Sequence, residues 1–387
     1  MKTIEHSATQ QSEATDIRFM RIAMALAERG LGNVWPNPAV GCVIINNGHI
    51  IGRGWTGPGG RPHAETEALK RAGDAAKGAT AYITLEPCAH FGKTPPCADA
   101  LVNAGIKRAV IAITDPDPRT AGRGIQKLID AGISVSEGIL KTEAENINAG
   151  FFSLIKNKKP IFALKIAASS DGCIAASVGT RTDITGSIAK NLGHMLRASH
   201  DVVLFGIATL LIDDPEYTCR LPGMENRTPI RALLDSNLRI PLDARILKTL
   251  DKNELWIFCL PGADVKKQSA LEDLGAKVII VEKPGADARP DLDWIASYLG
   301  ESGVSRVLIE SGGKLNQAFM KAGLVDDIHW FSSPSKLGHG AIPAFDEITI
   351  AKDVLNGNIQ GFQMTDKRAC GDDTYMAFKK IKKVEAN

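Results

Sequence analysis

The sequence predicts a two-domain α/β protein, and three observations carry that reading. Short apolar runs of strand length alternate with segments of helical periodicity along most of the chain. At 387 residues the chain exceeds one domain of roughly 150 residues and suits two or three. A short basic stretch, Lys156, Lys158, Lys159 and Pro160, interrupts the alternation and divides an N-terminal domain, 1–150, from a C-terminal domain, 151–387.

Composition narrows the function classes. Hydrophobic residues at 44% and charged residues at 23% describe an ordinary globular chain. A formal net charge of +2 supplies no general basic field, and 5% aromatics supply few stacking platforms, so no nucleic-acid partner is expected. Residues 1–16 are polar and lack the apolar centre of a secretory signal. No apolar run approaches the length of a bilayer span, so no membrane partner is expected either. The seven cysteines, at 42, 88, 97, 173, 219, 259 and 370, are odd in number and scattered. That spacing argues against a disulfide framework and for a reducing, cytoplasmic compartment.

Taken in order, Asp16 is placed to cap a helix in which Ile17, Met20, Met24 and Ala27 recur at helical steps and Gly30 closes the run. Residues 39–45 form a buried strand, Asn46-Asn47-Gly48 a turn, and 49–55 the returning arm of a hairpin. A helix follows over 63–72, a strand over 80–85, a helix over 97–103 and a strand over 108–114. A helix over 124–131 and a strand over 133–137 complete a mixed sheet covered by helices. Residues 150–160 read as a solvated connector. In the second half strands fall at 161–168, 202–206, 230–234, 256–260, 278–281 and 307–309, with helices at 188–197 and 315–322 and a loop or short helix at 209–215. Small residues at 311–315, between a strand and a helix, expose backbone N–H groups as an anion cradle or form a plain tight turn.

The chemistry concentrates in Arg61-Pro62-His63-Ala64-Glu65, answered by Leu85-Glu86-Pro87-Cys88 and Pro95-Pro96-Cys97. One histidine and two cysteines are a three-ligand set with a preference for zinc, and a catalytic zinc keeps its fourth position for water. His-x-Glu followed by Pro-Cys and a second cysteine is the signature of zinc nucleobase deaminases, with the glutamate as proton carrier. Glu65 is that candidate. If His63 and Cys97 start helices, the positive helix ends favour a thiolate at Cys97. A structural zinc site remains an alternative, with His90 as the spare ligand, and so does coincidence. One spacing departs from the usual Cys-x-x-Cys: residues 89–96 separate the two cysteines. Just upstream, Gly52-Arg53-Gly54-Trp55-Thr56-Gly57 matches a dinucleotide fingerprint, but it lies in a hairpin strand with no helix opening on it.

Trp35-Pro36-Asn37-Pro38-Ala39-Val40-Gly41, the His63 motif, and residues 84–97 with their long loop between the cysteines resemble the deaminase half of the bifunctional riboflavin-biosynthesis RibD family. Thr114-Asp115-Pro116-Asp117-Pro118-Arg119 and Ala121-Gly122-Arg123-Gly124 fit it too. The resemblance implies a cytidine-deaminase-like domain in which His63, Cys88 and Cys97 hold zinc. It further implies that Glu65 moves protons, Asn37 contacts a pyrimidine, and His90 and Lys93 contact a ribose phosphate.

Lys165 with Ser169-Ser170-Asp171-Gly172, Leu196-Arg197-Ala198, Thr209 with Asp213-Asp214-Pro215, Thr218-Cys219-Arg220, Leu234-Asp235-Ser236 and Glu310-Ser311-Gly312-Gly313 resemble that family's reductase half. The implied fold is dihydrofolate-reductase-like and binds NADPH without a Rossmann fingerprint. The implied substrate contacts are Lys165, Arg181, Arg197, Arg220 and Glu310. Ala167, Asp183, Thr209, Asp213, Ser236 and Gly312-Gly313 would face NADPH, with Asp213 handling a proton. Two positions depart from the family pattern: its serine and tryptophan ahead of an Ile-Thr pair are here Arg181 and Asp183, before Ile184-Thr185. Arg181 keeps a bidentate phosphate contact available, whereas Asp183 cannot stack as an indole would. The expected function is deamination of 2,5-diamino-6-(5-phosphoribosylamino)pyrimidin-4-one followed by NADPH-dependent reduction of its ribosyl chain, in a homo-oligomer. The rivals are a single-strand or tRNA deaminase and a structural zinc module fused to a reductase.

Overall fold

A computed structural model describes residues 2–92, 95–285 and 288–381, with the side chains of 2–12 and Ile348 left aside. The chain divides into two compact units, Met1–Lys158 and Lys159–Asn387.

The first unit runs α1 (Lys2–Glu28), β1 (Gly41–Asn46), β2 (His49–Trp55), α2 (Ala64–Ala72), β3 (Thr80–Ile83), α3 (Cys97–Asn103), β4 (Arg108–Ile111), α4 (Arg123–Asp130), β5 (Ser134–Glu137), α5 (Lys141–Ile147) and α6 (Ala149–Asn157). Its sheet has the order β2-β1-β3-β4-β5. β1 is antiparallel to β2 and β3, while β3, β4 and β5 are parallel, so the sheet is mixed. Ile44, Ile83, Ile111 and Leu101 are fully buried in its core.

Glycines let helices lie directly on this sheet. A methyl group at Gly41 would meet the Ala23 carbonyl oxygen of α1 at 1.9 Å. At Gly52 and Gly54 it would meet the Ala68 and Ala64 oxygens of α2 at 2.2 and 2.1 Å. Gly57 would meet Arg61 O at 2.3 Å. The three fingerprint glycines are therefore packing residues: Gly52 and Gly54 admit α2, which carries His63 and Glu65 at its start, onto the hairpin, and Gly57 admits the Arg61-Pro62 segment that leads into it.

Two expectations need correction here. Asp16 does not cap α1 but lies within it. Its carboxylate accepts hydrogen bonds from Arg108 at 2.8 and 2.7 Å and from the Tyr82 hydroxyl at 2.8 Å. A buried acid bidentate on arginine is better satisfied by these strand residues than by backbone amides. The connector read over 150–160 is mostly α6, which buries Phe151 and Leu154. The compact units accordingly divide at Lys158/Lys159, beyond the expected 150/151 boundary.

The second unit begins with β6 (Ile161–Ala168), β7 (Cys173–Ala175), α7 (Ser187–Ala198), β8 (Val202–Gly206), α8 (Ile207–Asp213), β9 (Ile230–Leu234), β10 (Leu255–Cys259), α9 (Val265–Asp273), β11 (Lys277–Ile280), α10 (Leu292–Glu301), β12 (Arg306–Ile309) and α11 (Gly313–Lys321). It ends with β13 (Val325–Ser332), β14 (Ile342–Pro343), α12 (Ile348–Leu355), β15 (Phe362–Cys370) and β16 (Asp373–Lys380). Among the described residues the main sheet is nine-stranded, in the order β11-β10-β9-β8-β12-β6-β13-β16-β15. From β11 to β13 every pairing is parallel, so those strands share one carboxyl edge, where open α/β sheets bind ligands. β16 and β15 close the sheet as an antiparallel ribbon. No helix among the described residues is long and apolar enough to cross a membrane.

Candidate active sites

In the first unit the motif residues converge from three elements. His63 is the N-cap of α2, and Glu65 lies in that helix's first turn, 4% exposed. Cys88 follows β3 by a short loop, and Cys97 opens α3. The ligand atoms of His63, Cys88 and Cys97 all lie within 4.8 Å of one another. His63 Nδ1 stands 3.2 Å from Cys97 Sγ and 3.7 Å from Cys88 Sγ. A tetrahedral zinc with its usual bond lengths would separate nitrogen from sulfur by about 3.5 Å, so the donor set and its spacing fit the ion.

The electrostatics are those of a small buried anionic cluster. Burial pushes the Glu65 carboxyl up to about 7, with the neighbouring Cys88 adding to the rise. A hydrogen bond from the Cys97 thiol holds Cys88 down at about 4, with help from His63 and from the Cys97 backbone N–H at 3.3 Å. That same contact and burial push Cys97 up. Cys88 is therefore the acceptor and Cys97 the donor between these two sulfurs, and a zinc bound to both would hold each as a thiolate.

Glu86, between β3 and Cys88, is a residue the sequence reading passed over. Its buried carboxylate accepts backbone N–H groups from Asp115 (3.1 Å), Gly122 (2.9 Å), Gly124 (2.8 Å) and Ile125 (3.2 Å). It thereby ties the cysteine loop to the start of α4, where negative charge is favoured. Gly124 is needed for that contact, since a methyl there would meet Pro87 O at 2.0 Å. Its place beside Pro87-Cys88 was the available signal.

Two of the expected substrate contacts, Asn37 and His90, have fixed partners of their own. Asn37 Nδ2 donates to Val34 O at 3.3 Å and Gly59 O at 3.2 Å, which fixes the amide. Gly60, at φ 86°, leaves it room. His90 is half-buried, with Nδ1 3.4 Å from the hydroxyl of buried Thr120. Lys93 lies outside the described residues.

In the second unit Lys165 on β6, Arg197 on α7 and Glu310 just beyond β12 meet. Arg197 donates to both Glu310 oxygens, at 2.5 and 2.8 Å, and Lys165 Nζ lies 3.7 Å from Glu310 Oε2. These cations overcome burial and hold the Glu310 carboxyl down at about 2. The Tyr217 hydroxyl donates to Glu310 O at 3.1 Å beneath them. Arg220 and Arg181 are exposed, as is Asp183, which pairs with Lys190 at 3.2 Å. Asp213, at the end of α8, has its carboxyl raised by burial and is charge-coupled to Arg181 and Asp183. Ala167 is half-buried on β6.

Thr209, Ser236 and Gly312-Gly313 follow β8, β9 and β12, three neighbouring strands of the carboxyl edge. Gly312 caps α11, and a methyl there would meet nothing within 4 Å. The space beside Gly312 at the start of α11 leaves room for an anion, whereas a methyl at Gly313 would meet Pro343 O at 2.7 Å. The described cysteines are all free thiols, and the five outside the metal motif are buried.

Comparison with known proteins matches these two regions separately and together. Residues 13–113 match the cytidine and deoxycytidylate deaminase zinc-binding region, and residues 160–375 match the RibD C-terminal domain. The riboflavin biosynthesis protein RibD of Bacillus amyloliquefaciens is 39% identical over 345 residues, covering 89% of this chain and 88% of its own. That of Escherichia coli is 38% identical over 337 residues, covering 84% of this chain and 89% of its own. The structure of Acinetobacter baumannii RibD superposes with a TM-score of 0.82 at 35% identity, over 96% of this chain and all of its own (100%). A Thermotoga maritima structure, described as a diaminohydroxyphosphoribosylaminopyrimidine deaminase/5-amino-6-(5-phosphoribosylamino)uracil reductase, gives 0.80 at 30% identity with the same coverage, 96% and 100%.

Proposed function

The chain belongs to the RibD family, and from that premise we propose the chemistry of each half. It is a bifunctional enzyme of riboflavin biosynthesis, a zinc-type deaminase followed by a reductase that uses a nicotinamide cofactor. The proposed functional domains are the two halves expected at 1–150 and 151–387, with the boundary moved to Lys158/Lys159 so that α6 stays whole in the first.

The proposed first substrate is 2,5-diamino-6-(5-phosphoribosylamino)pyrimidin-4-one, in keeping with the activity named for the Thermotoga relative. His63 Nδ1, Cys88 Sγ and Cys97 Sγ would hold zinc, which when bound supplies the Lewis acidity that makes water nucleophilic at neutral pH. Glu65, poised near 7, takes a proton from the attacking water and delivers it to the ring nitrogen. The same carboxylate then takes the proton of the newly added hydroxyl and passes it to the exocyclic amine, which leaves as ammonia as the carbonyl forms. Asn37 orients the pyrimidine, and His90 and Lys93 hold the ribose phosphate. The observation that carries this reading is the three-donor cluster with a buried carboxylate two residues from its histidine.

For the reductase we assign NADPH, lying along the carboxyl edge against Ala167, Thr209, Ser236, Gly312 and Gly313, with Asp183 at its rim. Lys165 and Arg197 set two positive charges against the one of Glu310, an excess that suits a phosphorylated substrate, with Arg181 and Arg220 adding to it. Asp213, whose carboxyl burial pushes up, would hand a proton to the opened sugar. Free thiols throughout the described chain support a cytoplasmic setting. A homo-oligomer is also proposed, and light scattering on purified protein tests it.

The deciding experiment incubates the protein with the diaminopyrimidine phosphate alone, with NADPH, and with NADH, following ammonia and cofactor oxidation separately. Ammonia without cofactor, then NADPH oxidation only after it, supports the order. Cofactor oxidation with no ammonia would refute it.

A further inference from the structure

We propose that Tyr217 is a positioning residue of the second unit, which fixes the Arg197–Glu310 pair so that the guanidinium meets a phosphorylated substrate already aligned. This rests on the proposed role of Lys165, Arg197 and Glu310 as substrate contacts and adds the residue that orders them.

The backbone supplies the first observation. Tyr217 has φ 54°, and Asp214, three residues before it, has φ 40°. The left-handed region is unfavourable for a bulky side chain, and such strain persists only where the surroundings over-determine it. Here they do. Asp214 Oδ1 accepts Arg245 N at 3.0 Å, and the Glu216 carboxylate pairs with the Arg245 guanidinium. Arg231, 0% exposed, donates through Nη1 to Ile246 O at 3.0 Å and Glu216 O at 3.5 Å. Two arginines thus tie residues 214–217 to residues 245–246.

The side chain supplies the second. Tyr217 is 4% exposed and stacks on Phe205 of β8, with ring centroids 4.1 Å apart. The Arg197 guanidinium carbon lies 5.4 Å from the Tyr217 centroid, within cation–π range. The Tyr217 hydroxyl donates to Glu310 O at 3.1 Å, and burial and the Glu310 charge push the phenol up, which keeps it a donor. Thr218, the next residue, accepts Arg197 Nη1 on its carbonyl at 3.2 Å. One dipeptide therefore holds both members of the pair, Glu310 by its main chain and Arg197 by a ring and a carbonyl. Packing against Phe205 alone requires neither the hydroxyl nor the left-handed backbone. An arginine left free to rotate would lose rotamer entropy on binding an anion, and this framework removes that loss.

The test is calorimetric titration of the full chain, without cofactor, with the deaminated form of the diaminopyrimidine phosphate, alongside steady-state kinetics of its reduction by NADPH. Tyr217→Phe keeps the ring and removes the hydroxyl, and should weaken binding by about 2- to 10-fold, the scale of one neutral hydrogen bond. Tyr217→Leu also removes the ring face and should weaken it by about 10- to 100-fold. The change should fall on KM for that compound rather than on kcat, a split that a loss of folded enzyme does not produce. In an Arg197→Gln background, Tyr217→Leu should add at most about twofold, because no guanidinium is left to align. An unfolding midpoint of the phenylalanine variant matching wild type excludes a folding defect. Undiminished affinity in both single variants, or full additivity with Arg197→Gln, overturns the proposal and leaves Tyr217 a core residue. A wild type that does not bind the deaminated compound would instead remove the substrate reading beneath it.

Discussion

Replacing Gly54 by alanine should slow deamination by about 100-fold although its role is packing, not chemistry. The added methyl would sit 2.1 Å from Ala64 O and 2.7 Å from Ala68 N, both backbone atoms of α2. Nothing there can rotate away, so α2 must retreat by about 1 Å to restore an ordinary contact, and interiors resist that displacement. Overpacking of this kind costs about 1–3 kcal/mol. The shift also carries His63 and Glu65 off their positions, and a misplacement of about 1 Å can cost on the order of 100-fold in rate. Gly54 is not among the residues with positive φ, so steric contact alone is being tested. The assay is ammonia release at saturating substrate, zinc content per chain, and urea unfolding, with NADPH oxidation of pre-deaminated substrate as the readout of the second unit. Ammonia should fall by about two orders of magnitude, with lowered zinc retention. Full ammonia release with an unshifted unfolding transition would refute the reasoning that those glycines exist to admit α2.

Three further outcomes follow. Glu65→Gln should keep zinc and lose deamination, because the amide cannot carry protons; a variant that still releases ammonia at the wild-type rate would make the zinc structural. Asp16→Asn should weaken the bidentate Arg108 pair and the Tyr82 bond, lowering the first unit's stability by about 1–3 kcal/mol, read as a drop in urea midpoint. The second unit should lose stability as pH falls from 6.5 towards 4. Burial pushes His194, with Arg197 and Arg220 near it, and His329, with Arg306 near it, both down to about 4. In that window the unfolded chain takes up protons the folded imidazoles refuse, so stability is complete above 6.5 and declines below it. Asp326, raised to about 6 by burial, opposes this, so the comparison is with His329→Asn, whose unfolding midpoint should fall less on acidification.

Much of the deaminase site was legible because its chemistry is local: His63 and Glu65 share one turn, and each cysteine stands at the edge of an apolar element. Less could be read where partners are remote in sequence. Asp16 looked like a cap because its Arg108 and Tyr82 partners arrive only when β3 and β4 are beside α1. The glycines at 52, 54 and 57 carried a false message, for a close helix crossing and a phosphate turn call for the same residue type. Glu86 was overlooked because a carboxylate that binds four amides cannot be told from a solvated one until the chain closes on it. In the second unit the parallel strands up to β12 were visible as apolar runs. The β13–β16–β15 portion was not, because β15 is largely exposed and lacks a continuous apolar signal. Lys165, Arg197 and Glu310 were named by resemblance, but their mutual ion pairing is a product of the fold.

The central claim is that one imidazole and two thiolates hold a zinc that makes the first unit a deaminase. It is tested most directly by measuring zinc per chain and ammonia release together, in wild type and in Cys97→Ser. One zinc per wild-type chain, with both quantities lost in the variant while NADPH oxidation of deaminated substrate persists, is the predicted result. Zinc-free, chelator-treated protein that deaminates at the untreated rate would contradict it.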